Sequence, residues 1–363
     1  MRKLSKQDII DILTGCIILG TGGGGDYDSG MALIEEAESL GKEFILVDIN
    51  EIPDEAILMT PYLLGALTGY ECEKTKHLPK SEDKPILLAV NKMENYLNTT
   101  VYGTIACELG GENTAIPMYV AAMKGGYIVD ADIAGRAVPE VTNSTYYING
   151  LPAAPVVVAN AFGETVIIED LHDDERSEQV LRSFAQSSNN SLSAVDHAMP
   201  SKEIKHALIP NTLSKAQTLG KVYREAKANG SDVAKAAADA LDGKKVFEGK
   251  VESYTWDTVD GFTVGHVNIV NDENNRMKVW FKNENLMSWY NDKVYVTLPD
   301  LICLFDQDLS VPIQTPDFKE GMTVAVVILD APDAFKTEKG LEAFGPQRYG
   351  YDVVYNPALG RLI

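Results

Sequence analysis

Apolar positions along this chain fall into short runs that alternate between helical and extended spacing. Ser5 followed by Asp8 marks a helix start, and the pattern predicts a helix over 5–13 and then a short apolar stretch at 16–19. A second helix is expected over 29–40, strands over 44–48 and 56–60, a helix over 87–96 and a strand over 101–107. Gly110-Gly111 opens a helix over 114–124 that returns to the apolar run Tyr127-Ile128-Val129. Such alternation predicts an α/β domain on a mainly parallel sheet.

Two β-type runs, 154–159 and 165–169, precede a polar stretch at 171–190 that reads as a helix followed by a loop. Helices over 213–228 and 233–241 then lead into strands over 246–255, 263–270, 277–282, 293–297 and 323–329. The expected architecture is an N-terminal α/β domain over 1–170 and a β-rich C-terminal domain over 171–363, with a helical lead-in. A chain of 363 residues exceeds what one core usually serves, so a cleft between two domains is the natural place for a site.

Composition is that of a folded protein, 45% apolar and 23% charged. The formal net charge of −21, from 53 acidic and 32 basic side chains, repels a phosphate backbone and an anionic membrane surface. Nucleic acid and membrane are therefore excluded as expected partners. No apolar run has the length of a membrane span, and the charged, amphipathic start is unlike a secretory signal. Cys16, Cys72, Cys107 and Cys303 are widely spaced, as expected of free thiols in a cytoplasmic protein, and the acidic neighbours of Cys72 disfavour a thiolate there. A homo-oligomer is expected.

The run Gly20-Thr21-Gly22-Gly23-Gly24-Gly25-Asp26 formally matches GxGxxG, with Asp48 near the position of a ribose-binding acid. A dinucleotide-binding oxidoreductase is thus one alternative. Whatever the ligand, the loop stands at a helix start, where the Gly22, Gly23, Gly24 and Gly25 amides can face an anion; a tight turn without a ligand is the other reading. Tyr223 and Lys227 have the YxxxK spacing of short-chain dehydrogenases, but far downstream and behind the wrong glycine pattern, and read as a solvated helix face.

Glu108-Leu109-Gly110-Gly111-Glu112-Asn113 lies between a strand and a helix, so Glu108 and Asn113 can project into one crevice, or Asn113 can serve as a cap. Asp130, Asp132, Arg136 and Glu140 crowd the end of the next strand. Asp130 and Asp132 either point to one side, holding a hard cation or sharing a proton, or one caps a turn while the other pairs with Arg136. The histidines, His77, His172, His197, His206 and His266, lack HExxH or other zinc spacing and read as surface or satisfied core residues. There is no GxSxG elbow.

Taken together, the glycine-aspartate run at 20–26, Glu108–Asn113, and Asp130-Ala-Asp-Ile-Ala-Gly-Arg-Ala-Val-Pro-Glu140 resemble the S-methyl-thiohydantoin desulfurase-like family. Phe247-Glu-Gly-Lys-Val251, Phe281-Lys-Asn-Glu-Asn-Leu286, Pro299-Asp-Leu-Ile302 and Gly345-Pro-Gln-Arg-Tyr-Gly-Tyr-Asp352 extend the likeness over nearly the whole chain. Tyr27 stands where the family usually has proline, and the segment 64–74 keeps only Glu73-Lys74 of the pattern.

The resemblance implies hydrolytic removal of sulfur from a thiohydantoin or hydantoin-like cyclic amide. Such chemistry asks for a base to activate water, a donor to stabilise the adduct and an acid to help sulfur leave. Glu108 or Asp132 is the candidate base, Arg136 and the glycine-loop amides the anion stabilisers, and Asn113 the ring-orienting group. Glu73 and Lys74 are candidate substrate contacts. A variant has Asp130, Asp132 and Glu140 holding a divalent metal ion that polarises water. A non-catalytic protein that binds a small cyclic amide is the remaining alternative.

Overall fold

The computed structural model describes residues 1–65, 73 and 75–360. The chain begins with β1 (Arg2–Lys3), α1 (Lys6–Leu19), α2 (Tyr27–Ser39), β2 (Ile45–Val47), β3 (Ile57–Gly65), α3 (Pro85–Leu97), β4 (Gly103–Ala106), α4 (Gly111–Lys124) and β5 (Tyr127–Asp132). The Ser5–Asp8 capping box forms as its spacing predicts. Helix α1 continues to Leu19 rather than stopping near residue 13. A glycine inside a helix reads locally as a break, but Gly15 is where another helix crosses: a Cβ there would lie 1.9 Å from the Ala216 carbonyl oxygen.

There follow α5 (Thr145–Asn149), β6 (Val156–Ala159), β7 (Thr165–Ile168), α6 (Asp174–Ser187), β8 (Ser191–Pro200), α7 (Ser201–Ile204), β9 (Ile209–Pro210), α8 (Thr212–Ala228) and α9 (Val233–Ala240). Among the described residues the first sheet has nine strands in the order β1-β2-β5-β4-β3-β8-β6-β7, with β9 paired to β5. Its centre, β2-β5-β4-β3, is parallel. The flanking pairs are antiparallel. The fold is thus an N-terminal α/β domain on a sheet with a parallel centre, and β8 and β9 join that sheet from beyond residue 170.

The remainder is β10 (Lys244–Val259), β11 (Phe262–Val270), β12 (Arg276–Lys282), β13 (Glu284–Tyr290), β14 (Lys293–Thr297), β15 (Leu301–Asp306), β16 (Val311–Pro312), β17 (Thr323–Leu329) and α10 (Glu338–Phe344). The strands form a second sheet, ordered β14-β13-β12-β11-β10-β17-β15-β16 and antiparallel throughout, so the C-terminal domain is β-rich as its alternating pattern predicts.

One apolar core joins the two domains. Ile12, Leu13, Cys16 and Leu19 of α1, Leu213 and Leu219 of α8 and Ala237 of α9 pack with Leu301, Cys303 and Phe305 of β15 and with Val327 and Leu329 of β17. A helical layer therefore lies between the two sheets. The α1–α8 crossing is close because both helices present glycine: Cβ atoms at Gly15 and Gly220 would each lie 1.9 Å from a carbonyl oxygen of the facing helix.

Tyr223 is 7% exposed and its hydroxyl donates to the Ser310 carbonyl at 2.7 Å, so it is packed under the helix rather than solvated, while Lys227 is exposed. Cys16 and Cys303 are buried thiols and Cys107 is half-buried; Cys72 lies outside the described residues. Among the described residues, no helix is long and apolar enough to cross a membrane.

Candidate active site

Parallel strands deliver their carboxyl ends to one side of a sheet, and the loops leaving them make the natural crevice. Here the end of β3, the β4–α4 loop and the segment after β5 border a cavity of about 320 Å³. The glycine loop, β8, α6 and the start of β13 close it.

Glu108, 5% exposed, stands on this wall. Its Oε1 accepts from Asn113 Nδ2 at 2.7 Å and its Oε2 from the Val138 amide at 2.7 Å. Burial pushes the carboxyl up, and the two N–H donors with Arg136 and Arg182 oppose this without cancelling it, leaving it raised. Asn113 is not a helix cap; Gly110 holds that position. Its side chain pairs with the Leu63 backbone, accepting from N–H at 2.8 Å and donating to C=O at 3.1 Å, so it ties β3 to α4 and holds Glu108 in place.

Only part of the glycine loop faces the cavity. Gly24 and Gly25 line it, both with positive φ, 80° and 83°. The Gly24 carbonyl accepts from the amides of Glu112 and Asn113, satisfying the first turn of α4. Gly24 also packs on Gly110, where a side chain at either position would clash with backbone. Gly22 and Gly23 turn away, against Thr315 and Glu284 respectively. The loop follows α1, not a strand, and Asp48 caps a short 3₁₀ turn by accepting from the Asn50 amide at 2.8 Å. The dinucleotide reading therefore fails: a helix–loop–helix has no strand to deliver the pyrophosphate turn. Asp26 caps α2, so Tyr27 occupies the first helical position, one that proline also suits.

The Asp130, Asp132 and Glu140 carboxylates do not converge, which corrects the metal reading. Asp130 accepts from the Ser214 amide and hydroxyl at the start of α8, 2.9 and 2.5 Å away. Asp132 accepts from the Ala134 and Gly135 amides at 3.0 and 2.6 Å, behind the cavity wall. Glu140 lines the cavity but pairs with Lys282 at 2.5 Å and Arg348 at 2.8 Å. Among the described residues no group of three His, Cys, Asp or Glu side chains is placed to hold a metal ion.

Asp132 is fully buried, and burial pushes its carboxyl up to about 7 against the two turn amides and the nearby Thr212 hydroxyl, with which it makes no close hydrogen bond.

Arg136 is likewise not a cavity residue. At 1% exposure, its five N–H groups go to the carbonyls of Ala137, Pro299, Asp300 and Asn285 and to the Thr21 hydroxyl. No donor is left for a ligand. Burial lowers its pKa to about 10, which keeps it charged at neutral pH, and it serves as a polar rivet between the domains. Glu73 is exposed, pairs with Lys76 and is not among the described residues that line the cavity, and Lys74 lies outside the described residues.

The structure adds Asp196, which sequence reasoning passed over, and brings to the cavity His197, which it read as a surface or satisfied core residue. Asp196 and His197 stand on the cavity wall, with His197 in the left-handed region at φ 44°. His197 Nδ1 is 2.7 Å from Asp196 Oδ1 and Nε2 is 3.3 Å from the Leu151 carbonyl oxygen. Two acceptors facing both ring nitrogens call for a doubly protonated ring. Burial opposes that charge, but Asp196, Asp174 and the Leu151 carbonyl outweigh it and the imidazole is raised above its usual value. Tyr146 stacks on the ring at 4.2 Å, and the Tyr62 hydroxyl donates to Asp196 at 2.9 Å.

Glu112 is pushed up to about 7 by burial and by Asp26. Arg182 stacks on Phe262 at 4.0 Å and donates to Glu178 and to the Pro139 carbonyl. Cys107 also lines the cavity, but burial and the Glu108 and Asp196 carboxylates push its thiol well above the thiolate range, which removes it as a nucleophile. The adjacent Asp-His pair at 196–197 was the one visible signal; the sequence pattern assigns no element to the strand that carries it.

With this architecture in view, comparison with known proteins defines the class. The S-Me-THD-like N-terminal domain matches residues 7–170 and the S-Me-THD-like C-terminal domain matches residues 172–358. The chain belongs to the S-methyl-thiohydantoin desulfurase-like family. A crystal structure of a protein from Chromobacterium violaceum is similar in fold, with a TM-score of 0.80 at 24% identity, covering 98% of this chain and 100% of that one. No curated protein matches the chain.

Proposed function

We propose that this protein is a hydrolase that removes sulfur from a thiohydantoin or a similar cyclic thioamide. The observation that carries the reading is Glu108: a buried carboxyl held through both oxygens at the wall of a cavity sized for a small ring. Two N–H donors orient its lone pairs and favour the charged form a general base needs. Family membership supplies the reaction class.

In the net reaction water replaces sulfur at the ring carbon: C=S becomes C=O and hydrogen sulfide leaves. Glu108 takes a proton from the attacking water, and Asn113 acts as its positioning residue rather than as a ring contact. The imidazolium of His197 adds positive charge to a wall otherwise rich in carboxylates, which favours an anionic adduct. The Gly24–Gly25 backbone lies against one side of the cavity, where the absence of side chains lets it pack closely on Gly110 and Glu112.

The test is sulfide release from a panel of thiohydantoins by purified wild-type protein beside Glu108→Gln. Release by wild type and a loss on the order of 10²-fold or more in the variant supports the reading. Binding without turnover across the panel would replace it with that of a small-molecule-binding protein.

A further inference from the structure

Glu284, at the first position of β13, is the carboxyl that the second sheet contributes to a cavity otherwise built mainly around the first. It is 2% exposed and its Oε2 has no hydrogen-bond partner. The chain around it is fixed: the Asn285 amide donates to the Thr21 carbonyl at 2.8 Å, and Arg136 donates to the Asn285 carbonyl at 3.0 Å. Gly23 makes the space, since a Cβ there would lie 1.8 Å from Glu284 Oε1.

A buried carboxylate oxygen without a donor costs far more in the charged form than in the neutral acid. Glu108 and Glu284 are close enough for the charge of one to act on the other, and their surroundings differ in kind. Glu108 has an N–H donor on each oxygen and is built to be charged. Glu284 has a buried, unpartnered oxygen and is built to keep a proton. Two neighbouring carboxyls in unlike environments divide acid and base roles between them.

We propose that Glu284 is a catalytic acid, holding its own proton beside the charged Glu108 at the domain boundary and delivering it to the departing sulfur. The sulfur assignment rests on the thiohydantoin reading; the proton on Glu284 does not. Burial and the Glu108 charge push the Glu284 carboxyl well above the usual range, while Arg136, the Glu284 backbone amide and Arg182 oppose this; the charge of Glu284 also reaches Tyr349, whose hydroxyl donates to Asn143 at 2.9 Å.

The step balances as follows. Glu108 accepts a proton from water as its oxygen bonds to the thione carbon, and the electron pair of the C=S bond moves to sulfur. Glu284 protonates that sulfur, and the carbon–sulfur bond breaks with hydrosulfide leaving. The adduct hydroxyl returns its proton to Glu284 as the carbonyl forms, and Glu108 passes its proton to hydrosulfide, giving hydrogen sulfide and both carboxyls in their starting states.

Two measurements decide the matter. Infrared difference spectra at neutral pH, wild type minus Glu284→Gln, should show a protonated-carboxyl stretch belonging to Glu284. In Glu108→Gln that band should titrate at lower pH, because the neighbouring charge is gone. No such band in the wild-type difference, or no movement in Glu108→Gln, overturns the proposal even if no substrate is in hand.

With a thiohydantoin that the wild type turns over, Glu284→Gln should lose about 10²-fold or more in kcat and lose the alkaline limb of its pH profile. An unchanged profile overturns the acid role. Absence of wild-type turnover counts against the substrate reading alone, and the infrared result then stands by itself.

Discussion

A Cβ at Gly23 would lie 1.8 Å from Oε1, 2.5 Å from Cδ and 2.9 Å from Cγ of Glu284, so the glycine loop of one domain is a mould for a carboxyl of the other. The run that reads as an anion cradle is, at this residue, the space a buried acid occupies.

Gly23→Ala follows directly. Its φ lies outside the left-handed region, so the backbone accepts alanine, but Glu284 must move aside. The expected cost is about 1–3 kcal/mol from overpacking, read by urea unfolding, with activity falling on the order of 10²-fold through misplacement of a reacting group. Wild-type activity in this variant would show that the position of Glu284 is unimportant.

Asn113→Ala should act through Glu108. The Asn113 donor lowers the pKa of that carboxyl, so its removal raises it further. The acidic limb of the kcat/KM profile should move to higher pH, and the drop in activity should be partly recovered at alkaline pH. An unmoved limb would mean that Glu108 is not the titrating base.

Arg136→Met should be a stability variant more than an activity variant. It leaves the Pro299, Asp300 and Asn285 carbonyls without their buried donor, and each unsatisfied group costs about 1–3 kcal/mol. We expect a loss of at least ~3 kcal/mol in denaturant unfolding, with early exposure of the second domain to proteolysis. A variant as stable as wild type would refute the rivet role.

Asp132 makes stability depend on pH in a defined window. Its folded pKa of about 7 lies above the ordinary 3.8, so the folded state holds the proton more tightly. Its contribution is complete below pH 3.8 and is lost as pH rises through about 7. Asp132→Asn mimics the protonated form, so the stability difference between variant and wild type should grow in the variant's favour from pH 5 to pH 8 in thermal melts. A difference that is flat over that range would place the carboxyl outside the titrating set.

Much of the fold is a local property and was readable as such. The Ser5–Asp8 box starts α1, the helices after Gly111 and over 212–228 follow apolar spacing, and β10 through β12 follow alternation, because caps and periodicity act within a few residues. The Glu108–Asn113 pair was legible for the same reason: a strand end beside a helix start brings both residues to one crevice.

The rest was settled by distant partners. Gly15 looks like a helix break until α8 crosses it, and β8 shows no assignable pattern until β3 and β6 supply its hydrogen bonds. Asp130, Asp132 and Glu140 look like one cluster in the sequence, yet each is claimed by a different neighbour: Ser214, a turn amide pair, or Lys282 with Arg348.

By itself, then, the sequence determined most of the helices and many of the strands, though not β8, β13 or β15, together with the α/β and β-rich halves and the family. The tertiary structure decided which charges are spent on structure and which face the cavity. Burial and contacts with residues far away in the sequence set the free energy of each ionised group, as when Arg136 is consumed by backbone carbonyls while Glu284 is brought within reach of the Glu108 charge.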